Sequence, residues 1–174
     1  MEKQTRVLSR EHEAILKVIK ALERERDELK SGKKVNEEFF DKALEFIKNY
    51  ADKFHHAKEE NILFVEFCKN AHKAHCNPVE QMLYEHKLGR EFVKGMEIAM
   101  KETDLDGIVK NAESYANLLE EHIFKEDTIL YPMMDEVFDK KTQRLIAENA
   151  QAAEKKFKKE DLERYLAFAN NLKG

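Results

Sequence analysis

The chain reads as an all-α protein: an up-down-up-down four-helix bundle followed by one or two additional C-terminal helices. Three observations predict this. Helix breakers are scarce, with 5 Gly and 2 Pro in 174 residues. Apolar residues recur at helical spacing, and no stretch alternates with the period of a strand. Short turn-like segments cut the first 140 residues into long periodic stretches, as antiparallel neighbours require.

The first helix is expected over about Thr5 to Lys30, with Leu8, His12, Ile15, Ile19 and Leu22 on one stripe. Ser31-Gly32 stops it, the glycine suiting a left-handed cap. The second is expected from Asn36, a candidate N-cap, to about Asn70, its inner stripe being Phe40, Leu44, Ile47, Ala51, His55, Glu59 and Ile62. After a short connection, Pro78 fits the first turn of a third helix carrying Val79, Met82, Leu83, His86 and Val93 and ending near Met100. Thr103, Asp104 or Asp106 can cap the fourth, which is expected over about Leu105 to Phe138 with Tyr115, Leu118, His122, Glu126, Ile129 and Met133 inward. Asp139 to Thr142 breaks it. The chain thus divides into a bundle over 1–140 and a helical extension over 141–174 that packs on the bundle or on a partner subunit.

Composition excludes several functions. With 35 acidic and 31 basic residues the formal charge is −4, so nothing points to a nucleic-acid partner. No apolar run is long enough to cross a bilayer and the N-terminus lacks an apolar leader segment, so a cytoplasmic location and no membrane partner are expected. Cys68 and Cys76 are then free thiols. There is no phosphate-cradling glycine loop and no Ser-His-Asp arrangement.

The chemistry lies in a repeat. His55-His-Ala-Lys-Glu59-Glu-Asn-Ile-Leu-Phe64 returns 67 residues later as His122-Ile-Phe-Lys-Glu126-Asp-Thr-Ile-Leu-Tyr131. Positions i and i+4 share a helix face, so each segment aims an imidazole and a carboxylate the same way. His12 and His86 lie on the inner stripes of the other two long helices. An unpaired carboxylate in such an interior costs several kcal/mol, which a bound cation removes. The metal-ligand set expected is therefore His12, His55, Glu59, His86, His122 and Glu126.

Two registers exist in the second helix. His56 and Glu60 share their face with Asn49, Asp52 and Lys53, whereas His55 and Glu59 share theirs with Ile47, Ala51 and Ile62, so the second pair is chosen. Cys68, His72, His75 and Cys76 match no common structural zinc spacing and read as a surface connection. The methionines Met82, Met96, Met100, Met133 and Met134 read as core filling. Ferritin-like di-iron proteins use Glu-x-x-His, which does not occur here.

Glu11-His12, His55-x3-Glu59 with Ile-Leu-Phe, Met82-Leu-Tyr-Glu85-His86, and His122-x3-Glu126 with Ile-Leu-Tyr-Pro132 together resemble the hemerythrin-like (HHE cation-binding) family, over about residues 5 to 138. The resemblance implies two iron ions between four helices, joined by an oxo or hydroxo group, with Glu59 and Glu126 bridging them. The oxygen-carrying members add a fifth histidine on the third helix, but one turn from His86 stand Met82 and Arg90. The set of four histidines and two glutamates looks like the repair-of-iron-centres branch instead. Of about 12 positions on two octahedral irons, such a set and its bridge leave about two open to O2, NO or peroxide.

The function expected is a binding module for O2 or NO in sensing, storage or delivery. The alternative is a di-iron enzyme that reduces NO or peroxide, or supplies iron to damaged iron–sulfur centres. A structural bundle with an incidental site is the third reading. The protein is expected as a monomer or homodimer. Tyr115, seven residues before His122, is expected to point toward the site, either to hydrogen-bond a bridging oxygen or to fill the core; Gly89 either leaves room beside the site or serves close packing, and Arg90 would reach solvent.

Overall fold

The structure, a computed structural model, describes residues 2–172 and contains no strand among them. Four long helices form the bundle: α1 (Gln4–Lys30), α2 (residues 37–70), α3 (Val79–Glu102) and α4 (residues 105–137). Two shorter ones follow, α5 (Lys140–Glu154) and α6 (Lys159–Asn171). α4 packs along both α1 and α3, and α2 lies against α1 and α3.

The ends follow from local chemistry. Gly32 takes φ +88° after α1, where its missing Cβ removes the penalty, and its amide bonds to the Leu29 carbonyl. The side chain of Asn36 accepts from the Phe39 amide at the start of α2. Among the candidate caps for α4, Asp104 accepts from the Gly107 amide, while Thr103 holds the left-handed residue closing α3 at φ 56°. Pro78 sits one residue earlier than expected, at the N-cap position. The break after α4 is shorter than expected, because Asp139 caps α5 by accepting from Thr142.

α2 and α4 are not uniform. Wide π-helical turns run over Ile47–His56 and Glu59–Leu63 in α2, and over Glu126–Leu130 in α4. A π-turn inserts about one residue, rotating everything beyond it by about 100°. Two expected stripe positions are corrected by this: Ile129 is 55% exposed while Leu130 is buried, and Ile62 is only partly covered while Leu63 is buried. Leu83 on α3 is also exposed.

The C-terminal extension packs on the bundle itself. Tyr165 and Ala169 of α6 are buried, Tyr165 set edge-on to Phe46, and Phe168 lies against Phe39 and Phe46. Ile146 of α5 joins an apolar cluster with Leu8, Leu63, Phe64 and Leu130.

Candidate metal centre

The six predicted ligands converge at mid-bundle. His12, His55, Glu59, His86, His122 and Glu126 are each at most 2% exposed. Two overlapping groups form, His12 with His55, Glu59 and Glu126, and His56 with Glu59, His86 and His122; in each, one ligand atom per residue lies within 4.8 Å of the others. No other such group occurs among the described residues, so Cys68, His72, His75 and Cys76 form none, and both cysteines are exposed and free.

The carboxylates stand between the groups. Glu126 presents one oxygen to His12 Nε2 and the other to His122 Nε2, each at 3.3 Å. Glu59 Oε2 lies 3.6 Å from His55 Nε2 and 3.5 Å from His86 Nε2. His12 Nε2, His55 Nε2, Glu59 Oε2 and both Glu126 oxygens are buried without a hydrogen-bond partner. Buried polar atoms left unpaired cost free energy, so an arrangement that leaves several facing one point is built for a cation.

The outward nitrogens are all taken. His12 Nδ1 meets Asp127 at 3.0 Å, His55 Nδ1 meets Glu11 at 2.8 Å, His86 Nδ1 meets Glu60 at 2.8 Å, and His122 Nδ1 meets Glu85 at 2.7 Å. Each carboxylate adjoins a predicted ligand in sequence but serves a histidine on another helix. The order is α1 to α2, α2 to α3, α3 to α4, and α4 back to α1. Such partners fix the ring orientation and leave Nε2 facing the interior. Lysines back the ring at equivalent places, Lys58 on Glu11 and Lys125 on Glu85. The same two-fold likeness extends to the covers: Phe64 stacks on His86 at 6.0 Å and Tyr131 on His12 at 5.6 Å.

These contacts set the protonation of the side chains. Burial lowers His55 and His56 well below the usual imidazole value, and burial likewise lowers His86. For His12 and His122 burial pushes the same way but is outweighed. The Asp127 and Glu126 hydrogen bonds raise His12 to about 9, and the charge and hydrogen bond of Glu126, with Glu85, raise His122 to about 10. Burial and the nearby Glu126 charge raise Glu59, whereas His122 and His12 hold Glu126 well below the carboxylate range despite its burial. A metal ion would replace the protons on His12, His122 and Glu59.

Two expectations about this region are corrected. His56 does not face solvent: it is 6% exposed and its ring stacks on His86 with centroids 3.9 Å apart. The wide turns over Ile47–His56 end with two consecutive histidines, His55 and His56, both buried. Its companion Glu60 is half-buried and holds His86. Arg90 reaches solvent as expected, and it also pairs with Asp52 at 2.7 Å and Glu60 at 2.6 Å. The tyrosine on the site is Tyr131, whose hydroxyl donates to Glu59 Oε1, whereas Tyr115 lines an adjacent cavity. That cavity, about 410 Å³, reaches His56 and His86 past Gly89 and Arg90. A Cβ at Gly89 would meet Leu119 at 3.5 Å, an ordinary contact, so an alanine would fit there.

Signals for the missed residues were present in the chain. Lys-Glu-Glu at 58–60 and Lys-Glu-Asp at 125–127 repeat, as does Glu-His at 11–12 and 85–86. The acidic neighbours of the ligands were therefore visible, but not which helix each would serve. His56 has no repeat counterpart, since Ile123 follows His122. The family model for the hemerythrin HHE cation binding domain matches residues 4–134. No curated protein and no solved structure matches the chain.

Proposed function

The chain belongs to the hemerythrin HHE cation-binding family, and on that footing we propose that it holds two iron ions at this centre and binds a small ligand, O2 or NO, on a position the protein leaves open. One observation carries the reading: His12 Nε2, His55 Nε2, Glu59 Oε2 and both Glu126 oxygens face a common interior point with no partner. Imidazole nitrogen with carboxylate oxygen suits iron in both oxidation states, and no thiolate or thioether is needed. Iron held there would supply a redox-active Lewis acid.

The protein's part follows from the contacts. His12 and His55 would hold one ion, His86 and His122 the other, and Glu59 and Glu126 would span the two. Tyr131, by donating to Glu59 Oε1, fixes that carboxylate and leaves Oε2 turned to the histidines. Phe64 and Tyr131 cover the imidazoles and exclude water from them. No helix among the described residues is long and apolar enough to cross a membrane.

The test starts with metal analysis of protein purified without chelator and then loaded anaerobically with ferrous iron. Two irons per chain are expected, and failure to take up iron would end this reading. Stopped-flow mixing with O2, NO and peroxide then separates reversible binding from turnover. A stable adduct that releases its gas under vacuum supports binding. Repeated turnover with an electron donor would instead assign reduction of NO or peroxide.

A further inference from the structure

We infer that His56 is a fifth imidazole ligand, delivered by the wide turns of α2 to the metal position formed by His86 and His122. This rests on the di-iron reading above and goes beyond it, because the resemblance that introduced the centre offers four histidines and assigns His56 nothing.

The geometry places His56 in the centre and not beside it. One of its ring nitrogens lies within 4.8 Å of a carboxylate oxygen of Glu59 and of a ring nitrogen of each of His86 and His122. Its ring is stacked on His86, tilted by 16°, and sits 6.0 Å from His122. It is 6% exposed, yet Nδ1 has no hydrogen bond. The nearest carboxylate oxygen, on Asp52, is 3.6 Å away, and Asp52 is already engaged by Arg90 at 2.7 Å. A buried imidazole left with only this long contact to a shared carboxylate costs free energy that a simple packing role would have no reason to retain. An aliphatic side chain would fill the space, as Ile123 does at the equivalent place in the second half of the repeat, where it is buried at 3% exposure.

The consequence is an unequal pair. One metal position receives His56, His86 and His122; the other receives His12 and His55 alone. With Glu59 and Glu126 shared, the first position is filled and about one place stays open on the second, instead of about two across the pair. An external ligand would then bind on the His12 and His55 side. The cavity of about 410 Å³ that reaches His56 and His86 from outside would serve as a path or a reserve of space, not as the ligand seat.

The experiment uses the full chain, iron-loaded and oxidised, with azide as probe and Mössbauer spectra as the readout of each iron. The wild type should show two unequal iron environments and bind about one azide per iron pair. His56→Ala should bind a second azide and change one of the two Mössbauer signals. Imidazole, entering through the neighbouring cavity, should displace the second azide and restore the original spectrum. His56→Asn, which keeps a polar group of similar reach, is measured alongside, with far-UV circular dichroism to confirm folding. Identical azide stoichiometry and spectra in the wild type and both variants would overturn the assignment of His56 while leaving the di-iron centre standing. A wild type that takes up no iron would overturn both.

Discussion

His12, His55, His86 and His122 each lean on a carboxylate carried by a different helix, and the side chains behind the proposed ligands should therefore matter nearly as much as the ligands. Asp127 lies 3.0 Å from His12 Nδ1 and also accepts from Ser9 at 2.6 Å. Asp127→Asn keeps the shape but loses the charge, and should weaken metal binding by about 10- to 100-fold with helicity unchanged. Competition with a chromophoric chelator measures this; an unchanged affinity would mean that the carboxylate is ornamental. Protonation gives a second prediction at the same scale. His12 is raised to about 9 and His122 to about 10, so at pH 7 both carry protons in metal-free protein, and Glu59 is shifted toward its neutral form. Filling the centre should release at least about two protons per chain at pH 7, read with an indicator dye in weak buffer. In metal-free protein these raised values stabilise the fold fully below the unfolded imidazole value of about 6.5, and the benefit is lost as pH climbs through 9 and 10. The melting temperature of metal-free protein should fall across that window. Glu59, also raised, acts in the same direction.

At the scale of the element, the wide turns decide what faces inward. Leu130 is 1% exposed and Ile129 is 55% exposed, although an ideal helix continuing from His122 would favour Ile129. Leu130→Ala should cost about 2–5 kcal/mol, while Ile129→Ala should stay within about 0.5 kcal/mol. Urea unfolding of the metal-free variants reads the difference, and equal costs would show that α4 keeps ordinary helical register. The same turns explain which parts of the centre the chain disclosed. His55 with Glu59 and His122 with Glu126 stood out because a four-residue spacing survives in either helix type. His56 did not, because its hydrophilic flank of Asn49, Asp52 and Lys53 argues for solvent unless the helix is known to widen. Tyr131 is visible as part of the Ile-Leu-aromatic repeat, but the seven-residue spacing of Tyr115 from His122 suits an ideal helix better. Tyr115 is buried and lines the cavity beside His56 and His86. Helix boundaries were legible where a cap made them so, as at Asn36 and Gly32, and slipped by a residue at Pro78, where the backbone alone decides.

For the molecule as a whole, metal and fold are expected to be linked. Ligand binding to the native state alone, at about 1,000 times its dissociation constant, adds about 4 kcal/mol. For a chain of this size that is roughly 8–16 °C in melting temperature. Anaerobic ferrous loading followed by differential scanning calorimetry should show a rise of that order, reversed by chelator. No rise would mean that the centre is already as stable with protons as with iron. The bundle order was readable from the periodic segments and short connections alone. The packing of the tail was not, because a helix with Tyr165, Phe168 and Ala169 on one side suits any apolar neighbour. It settles on α1 and α2, and Glu154 at the end of α5 reaches Lys58 at 3.0 Å, beside the Glu11 that holds His55.

The handing of each imidazole to a carboxylate on another helix closes on itself, from Glu11 through Glu60 and Glu85 to Asp127. A closed circuit has no first or last member. No two-helix fragment could present properly aimed nitrogens, because at least one of its imidazoles would be missing the neighbour that steers it. Loss of any one rod from the barrel would slacken two corners at once. Retention of the ions should thus track the integrity of the entire assembly, and their escape would be among the earliest signs that a stressed molecule has begun to come apart.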